Sequence, residues 1–226
     1  MKKLFIVGTG TDVGKTYVTG LILKKLNEAG INAAYYKAAM SGNVRDEKNE
    51  LIPGDAKFVK DTSGIAQPLE TMCSYIYETA VSPHLASKLE GNPVDYKVVK
   101  DGFDVLASQY DYVTMEGSGG IICPIRQDEN SLMLEDIIKG LDMPCLLIAD
   151  AGLGTINSVV LTVDYLRKKD ISVKGIIFNN YEDGNVMHED NLKMCEKFTG
   201  LKVICKVKAN EENLDVDIKA LTEIYE

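Results

Sequence analysis

A chain of 226 residues can bury roughly 70–75% of the surface that its unfolded form exposes, so one domain spanning residues 1–226 needs no disulfide or metal staple. The formal net charge of −9, without a lysine- or arginine-rich stripe or an RNA-type aromatic motif, argues against a nucleic-acid partner. No apolar run approaches the ~20 residues of a membrane span, the opening run is too short for a signal-peptide core, and the five cysteines include no CxxC pair, so a reduced, cytoplasmic protein off the membrane is expected.

The first apolar run, KLFIV at 3–7, reads as a strand that breaks into the glycine-rich stretch VGTGTDVGKT and leads to a helical pattern at 14–29. A second strand, AAYYK at 33–37, ends on Lys37 and is followed by a long polar region, 41–62, expected to be a loop that carries function. Helical patterns at 83–89 and 96–108 precede a strand, YVTME at 112–116, which ends on Glu116 before a run of glycines. Strands at 145–150, 175–179 and 202–207 then alternate with helical patterns at 156–169, 189–199 and 216–225. Near-continuous apolar strands separated by helices imply an α/β, doubly wound, mostly parallel sheet with helices on both faces. Ligands of such a fold gather at the carboxyl ends of the strands.

A glycine-rich turn between a strand and a helix aims consecutive backbone N–H groups at one point, where the helix N-terminus adds partial positive charge. In VGTGTDVGKT that point is an anion site: Lys15 can reach the β- and γ-phosphates of a nucleotide, and the Thr16 hydroxyl can ligate Mg²⁺. The spacing departs from the strict GxxxxGK[ST] form, because Thr9 stands where the first glycine belongs, with Gly8 and Gly10 on either side. Such a site also needs carboxylates for the metal, usually at the end of a neighbouring strand. Glu116 stands there, and Asp55 in PGDAK is either a third ligand with Thr16 and Glu116 or the N-cap of a helix beginning at residue 56. Lys37, at a strand end, points to the same edge, or is a solvated lysine there.

These segments closely resemble the dethiobiotin synthetase family, the ATP-dependent enzymes of the penultimate step of biotin synthesis. GTGTDVGKT is similar to that family's G-T-x-T-[DE]-V-G-K-T signature, extra residue included. YKAAMSG, SPHLA and MEGSGG resemble its Y-K-P-x-x-S-G, S-P-H-x-A and V-E-G-A-G-G segments, and GLGTINSVVLT and GIIFNN follow in family order. The resemblance implies that 7,8-diaminopelargonic acid takes up CO₂ as a carbamate, that the carbamate attacks the γ-phosphate of ATP, and that the second amine closes a ureido ring and releases phosphate. Carried over by position, Thr11, Lys15 and Lys37 would be catalytic, and Ser41 would lie on the carbamate side. Asp12, Val13, Gly14, Lys15, Thr16 and Tyr17 would hold ATP, together with Asp55, Glu116, Gly117, Ser118 and Gly119. Asn179 would read the adenine edge, and Lys208, Ala209 and Asn210 would line the purine pocket, although CKVKANEEN lacks the family's G-x-I-P segment. Asp12 stands where many members have glutamate, and Ala38 replaces the usual proline. The resemblance also implies a homodimer in which Thr155, Ile156 and Asn157, at a helix start, hold the substrate carboxylate of the other subunit.

Two other readings share the loop type. An amidoligase related to the cobyrinic acid diamide synthetases would be expected to carry a glutaminase domain beyond this length. A partitioning ATPase of the MinD type would place a lysine early in the loop, where this chain has Gly10, and an amphipathic membrane tail where it has the acidic ALTEIYE.

Overall fold

The computed structural model describes residues 1–226. Seven strands, β1 (Lys2–Gly8), β2 (Ala33–Met40), β5 (Cys73–Ile76), β6 (Tyr112–Gly120), β9 (Cys145–Asp150), β10 (Val173–Asn179) and β11 (Val203–Lys206), form one sheet in the order β11-β10-β9-β1-β6-β2-β5, with every pair parallel. Two antiparallel hairpins, β3 (Val44–Arg45) with β4 (Leu51–Ile52) and β7 (Pro124–Gln127) with β8 (Ser131–Met133), stand apart from it.

Alternation along the buried strands explains the layering. In β1, Leu4 and Ile6 face one apolar cluster while Phe5 and Val7 face the other. The first cluster is closed by α1 (Lys15–Glu28), α2 (Gly54–Ser63) and α8 (Ile218–Glu223), the second by α3 (Pro83–Leu89), α4 (Tyr96–Gln109), α5 (Leu134–Gly140), α6 (Thr155–Lys168) and α7 (Val186–Thr199). The doubly wound architecture expected from the sequence is therefore present, and its main sheet is wholly parallel. All five cysteines are buried and free, as expected of packing thiols.

The stretch expected to be a loop from 41 to 62 is instead the β3–β4 hairpin and most of α2. Its polarity misleads because α2 buries only Ala56, Val59 and Ser63 against its neighbours. Asn43, itself buried, ties this segment down: its amide donates to the carbonyls of Met40 (3.0 Å) and Tyr77 (2.9 Å), and its Oδ1 accepts the Gly54 N–H (2.9 Å) at the start of α2. One side chain thus fixes the first turn of α2, and with it Asp55, against the end of β2.

Candidate functional site

The carboxyl ends of β1, β2 and β6 surround a cleft of about 920 Å³. The β1–α1 turn forms its floor, and two residues there take left-handed backbone conformations, Asp12 (φ 60°) and Gly14 (φ 88°). Gly14 caps α1 without a side-chain hydrogen bond and no acidic residue occupies the first turn, so the N–H groups of the helix start face the cleft. Thr11, Asp12, Gly14, Lys15, Thr16 and Tyr17 all line it. Val13 does not; its carbonyl turns away and accepts the Asn179 Nδ2–H at 3.2 Å.

A methyl group at Gly14 would overlap the Asn179 amide, and the left-handed backbone adds about 1–2 kcal/mol for a non-glycine residue. Gly14→Ala is expected to lower the melting temperature and to weaken nucleotide binding together, read by thermal denaturation and by ADP titration.

Lys15 is buried, and its ammonium donates to the Gly10 carbonyl at 2.8 Å. Burial lowers its pKa, with the charge of Lys37 acting in the same direction, while Glu116 and Asp55 oppose both. A buried cation held below its ordinary pKa beside a row of free N–H groups is suited to receive an anion.

Lys37 and Glu116 are register partners on β2 and β6, so their side chains rise from the same face of the sheet. The Lys37 ammonium donates to Glu116 Oε1 (2.7 Å) and to Asp55 Oδ2 (2.6 Å). Burial pulls the Lys37 pKa down, but the two carboxylates outweigh burial and carry it above the ordinary lysine value. Thr16 Oγ1 donates to the same Glu116 oxygen at 2.8 Å. Asp55 lies in the first turn of α2, whose N-cap is Pro53, so the capping alternative for Asp55 does not hold. Lys37, Asp55 and Glu116 thus meet in one cluster with Thr16, and Lys37 is not a solvated strand end.

Ser41, Ser118 and Gly119 complete the expected residues that line the cleft. Ser41 Oγ donates to the Val81 carbonyl at 2.6 Å and Ser118 Oγ to the Ala39 carbonyl at 3.1 Å. Gly117 is buried, and a side chain there would press on Leu134 and Phe5, so packing accounts for that glycine. Lys208, Ala209 and Asn210 are exposed and do not line the cleft, and Asn210 lines a separate, smaller cavity of about 320 Å³ that shares Tyr17 with it. Thr155, Ile156 and Asn157 open α6 and do not line this chain's cleft.

Sequence reasoning left out one wall. Ala80, Val81, Ser82 and Pro83 line it, opposite Ile122 and Cys123. The SPHLA segment was a signal for the first group, but Cys123, whose thiol pKa is raised by burial, carries no motif.

Comparison with known proteins accords with this geometry. Residues 2–215 match the family model described as an AAA domain. The chain is 50% identical over 220 residues to the ATP-dependent dethiobiotin synthetase BioD of Brachyspira hyodysenteriae, covering 95% of this chain and 97% of that protein. It is 49% identical over 211 residues to the protein of the same name from Clostridium novyi, covering 93% and 88%. Among solved structures, the MinC:MinD cell division protein complex of Aquifex aeolicus aligns with a TM-score of 0.57 at 12% identity, covering 99% of this chain and 86% of that one. The ParA family ATPase of Chlorobium tepidum aligns with a TM-score of 0.54 at 15% identity, covering 93% and 85%. At those identities the solved structures speak for the fold alone, whereas the relatives are about half identical over nearly the full length of both chains. The chain belongs to the ATP-dependent dethiobiotin synthetase family.

Proposed function

We propose that this cleft converts 7,8-diaminopelargonic acid, CO₂ and ATP to dethiobiotin, ADP and phosphate. The observation that carries the reading is the pairing of two buried lysines, Lys15 and Lys37, with a helix start whose N–H groups are free, all facing one cleft. A carbamate and a triphosphate are both anions, so joining them calls for cations and aligned donors rather than a nucleophilic side chain. Neither histidine lines the cleft, which suits a reaction without a histidine base.

In this reading Lys15 and the α1 N-terminus hold the phosphates, with Thr11 and Asp12 at the loop rim. Lys37 sits between the γ-phosphate and the carbamate, and Ser41 lies on the carbamate side. Attack of a carbamate oxygen on the γ-phosphorus forms a carbamic-phosphoric anhydride and expels ADP; attack of the second amine on its carbon then closes the ring and expels phosphate. Asn179 Oδ1 is buried without a hydrogen-bond partner, which supports its use as an acceptor for an amino group on the base. Lys208, Ala209 and Asn210 would border that base through exposed backbone.

The Thr16 hydroxyl with the carboxylates of Glu116 and Asp55 makes a hard-oxygen donor set that fits Mg²⁺. When bound, the ion would neutralise phosphate charge as it accumulates. Lys37 donates to the same two carboxylates, and with a metal on them its ammonium would be left to face the anions.

Thr155, Ile156 and Asn157 would serve the cleft of a second copy of the chain. Gly154 (φ 91°) starts α6 without a side-chain cap, and the preceding Leu153 is 92% exposed, which supports a surface used between subunits. No helix is long and apolar enough to cross a membrane, and the enzyme would act in the cytoplasm on small molecules alone.

Phosphate release from Mg·ATP and bicarbonate tests the reading. It is expected to depend on the diamine and to match the ureido product mole for mole by mass spectrometry. Release indifferent to the diamine would instead favour a switch ATPase.

A further inference from the structure

We propose that Tyr35 is a positioning residue for the phosphate end of the cleft, its hydroxyl holding the Glu116 carboxylate from beneath so that the other carboxylate oxygen faces Thr16 and Lys37. This rests on the reading of Glu116 as a metal ligand.

Strand geometry puts Tyr35 in place. It lies two residues before Lys37 on β2 and so shares its face of the sheet. Its register partner on β6 is Thr114, two residues before Glu116, and a tyrosine is long enough to reach such a diagonal neighbour. The Tyr35 hydroxyl donates to Glu116 Oε2 at 3.2 Å, while Thr16 and Lys37 both donate to Oε1. The two oxygens are thereby given different duties. Oε2 is held from the interior, and Oε1 alone is addressed from the cleft. The Glu116 side chain is fully buried, so water does not replace a missing donor at Oε2, and without one the carboxylate would be free to turn.

The Tyr35 backbone is fixed by a second buried polar residue. β5 joins β2 only from the Lys37–Cys73 pair onward, which leaves the Tyr35 peptide groups without a strand on that side. Gln67, wholly buried, fills the gap: its Oε1 accepts the Tyr35 N–H at 2.8 Å, and its Nε2 donates to the Tyr35 carbonyl at 3.0 Å and to Thr71 Oγ1 at 3.1 Å. A phenylalanine and an aliphatic residue would fill the same space; the polar atoms serve the orientation of Tyr35 and, through it, of Glu116.

The test is Mn²⁺ binding to the ADP complex, followed by electron paramagnetic resonance, in wild type, Tyr35→Phe, Glu116→Gln and the double variant, alongside metal-free ADP affinity and melting temperature. Tyr35→Phe keeps the ring, and it is expected to weaken Mn²⁺ binding about tenfold, the usual scale for an outer-shell partner, with metal-free ADP affinity unchanged. In the Glu116→Gln background the same change is expected to have no further effect on Mn²⁺. Wild-type Mn²⁺ affinity in Tyr35→Phe, or an equal loss with and without the Glu116 carboxylate, would overturn the positioning role while leaving Glu116 as a ligand. Unchanged Mn²⁺ affinity in Glu116→Gln would instead overturn the ligand reading, and the positioning role with it.

Discussion

Lys37→Ala is expected to reduce dethiobiotin formation by about 10²–10³-fold or more, the scale for removing one donor aimed at developing charge, while leaving ADP affinity close to wild type. Lys37 contacts Asp55 and Glu116 rather than the phosphate loop, so the binding of the nucleotide falls to Lys15 and the start of α1. The substitution also strips a buried carboxylate of its counter-charge. Glu116 would keep only the hydroxyls of Thr16 and Tyr35, and losing one partner of a buried ion pair costs about 3–5 kcal/mol. A lower melting temperature is therefore expected together with the catalytic loss, and turnover should be measured well below it. Comparable loss of ADP affinity and turnover would contradict the separation of roles.

Lys15→Met is expected to damage both nucleotide binding and turnover, because a charged hydrogen bond to phosphate is lost before any chemistry begins. At roughly 1.5–3 kcal/mol for such a bond, ADP affinity should fall by about 10- to 150-fold. Its effect on stability should have the opposite sign to that of Lys37→Ala. The Lys15 pKa is lowered in the folded state, by burial first and then by Lys37, so at neutral pH its charge is a cost that folding bears. The Lys37 pKa is raised, so its charge stabilises the fold at neutral pH, and that contribution is lost only as pH climbs past the unfolded lysine value toward the folded one. Methionine keeps the aliphatic stem of Lys15 and removes the charge. The ligand-free melting temperature is expected to stay level or rise, and a fall comparable to that of Lys37→Ala would contradict the electrostatic assignment.

The central strands were legible because burial on both faces leaves a continuous apolar run, as in CLLIAD of β9. The edge strand β5 was not: CSYI alternates between buried and half-buried positions and is only four residues long. α2 was missed for a related reason, since its buried stripe is narrow and its first turn is tied to β2 by a single polar side chain, Asn43, which no periodic pattern marks. α5 and the β7–β8 hairpin are short, and seven residues of helix or three to four of strand are too few for a periodic pattern to stand out.

At the site, Lys15 and Thr16 could be read from the glycine loop, and chain direction put Lys37 and Glu116 toward the same edge, although the strands taken to end on them run on to Met40 and Gly120. Whether Asp55 capped a helix or joined the cluster could not be read, because that depends on where α2 starts. The contact between Tyr35 and Glu116 was hidden more deeply. It requires the parallel register that sets Lys37 opposite Glu116, and no local pattern in AAYYK separates Tyr35, which reaches the carboxylate, from Tyr36, which packs on the other face.

The most direct test of the proposed chemistry is the fate of oxygen from bicarbonate. The reaction is run in unlabelled water with freshly added oxygen-18 bicarbonate, quenched before the label exchanges, and the phosphate is analysed by mass spectrometry. If the carbamate oxygen attacks the γ-phosphorus beside Lys37 and leaves with it when the ring closes, the phosphate formed with dethiobiotin carries one labelled oxygen. Unlabelled phosphate accompanying labelled product would mean that water cleaves the ATP, and that the two lysines do not bring carbamate and triphosphate together.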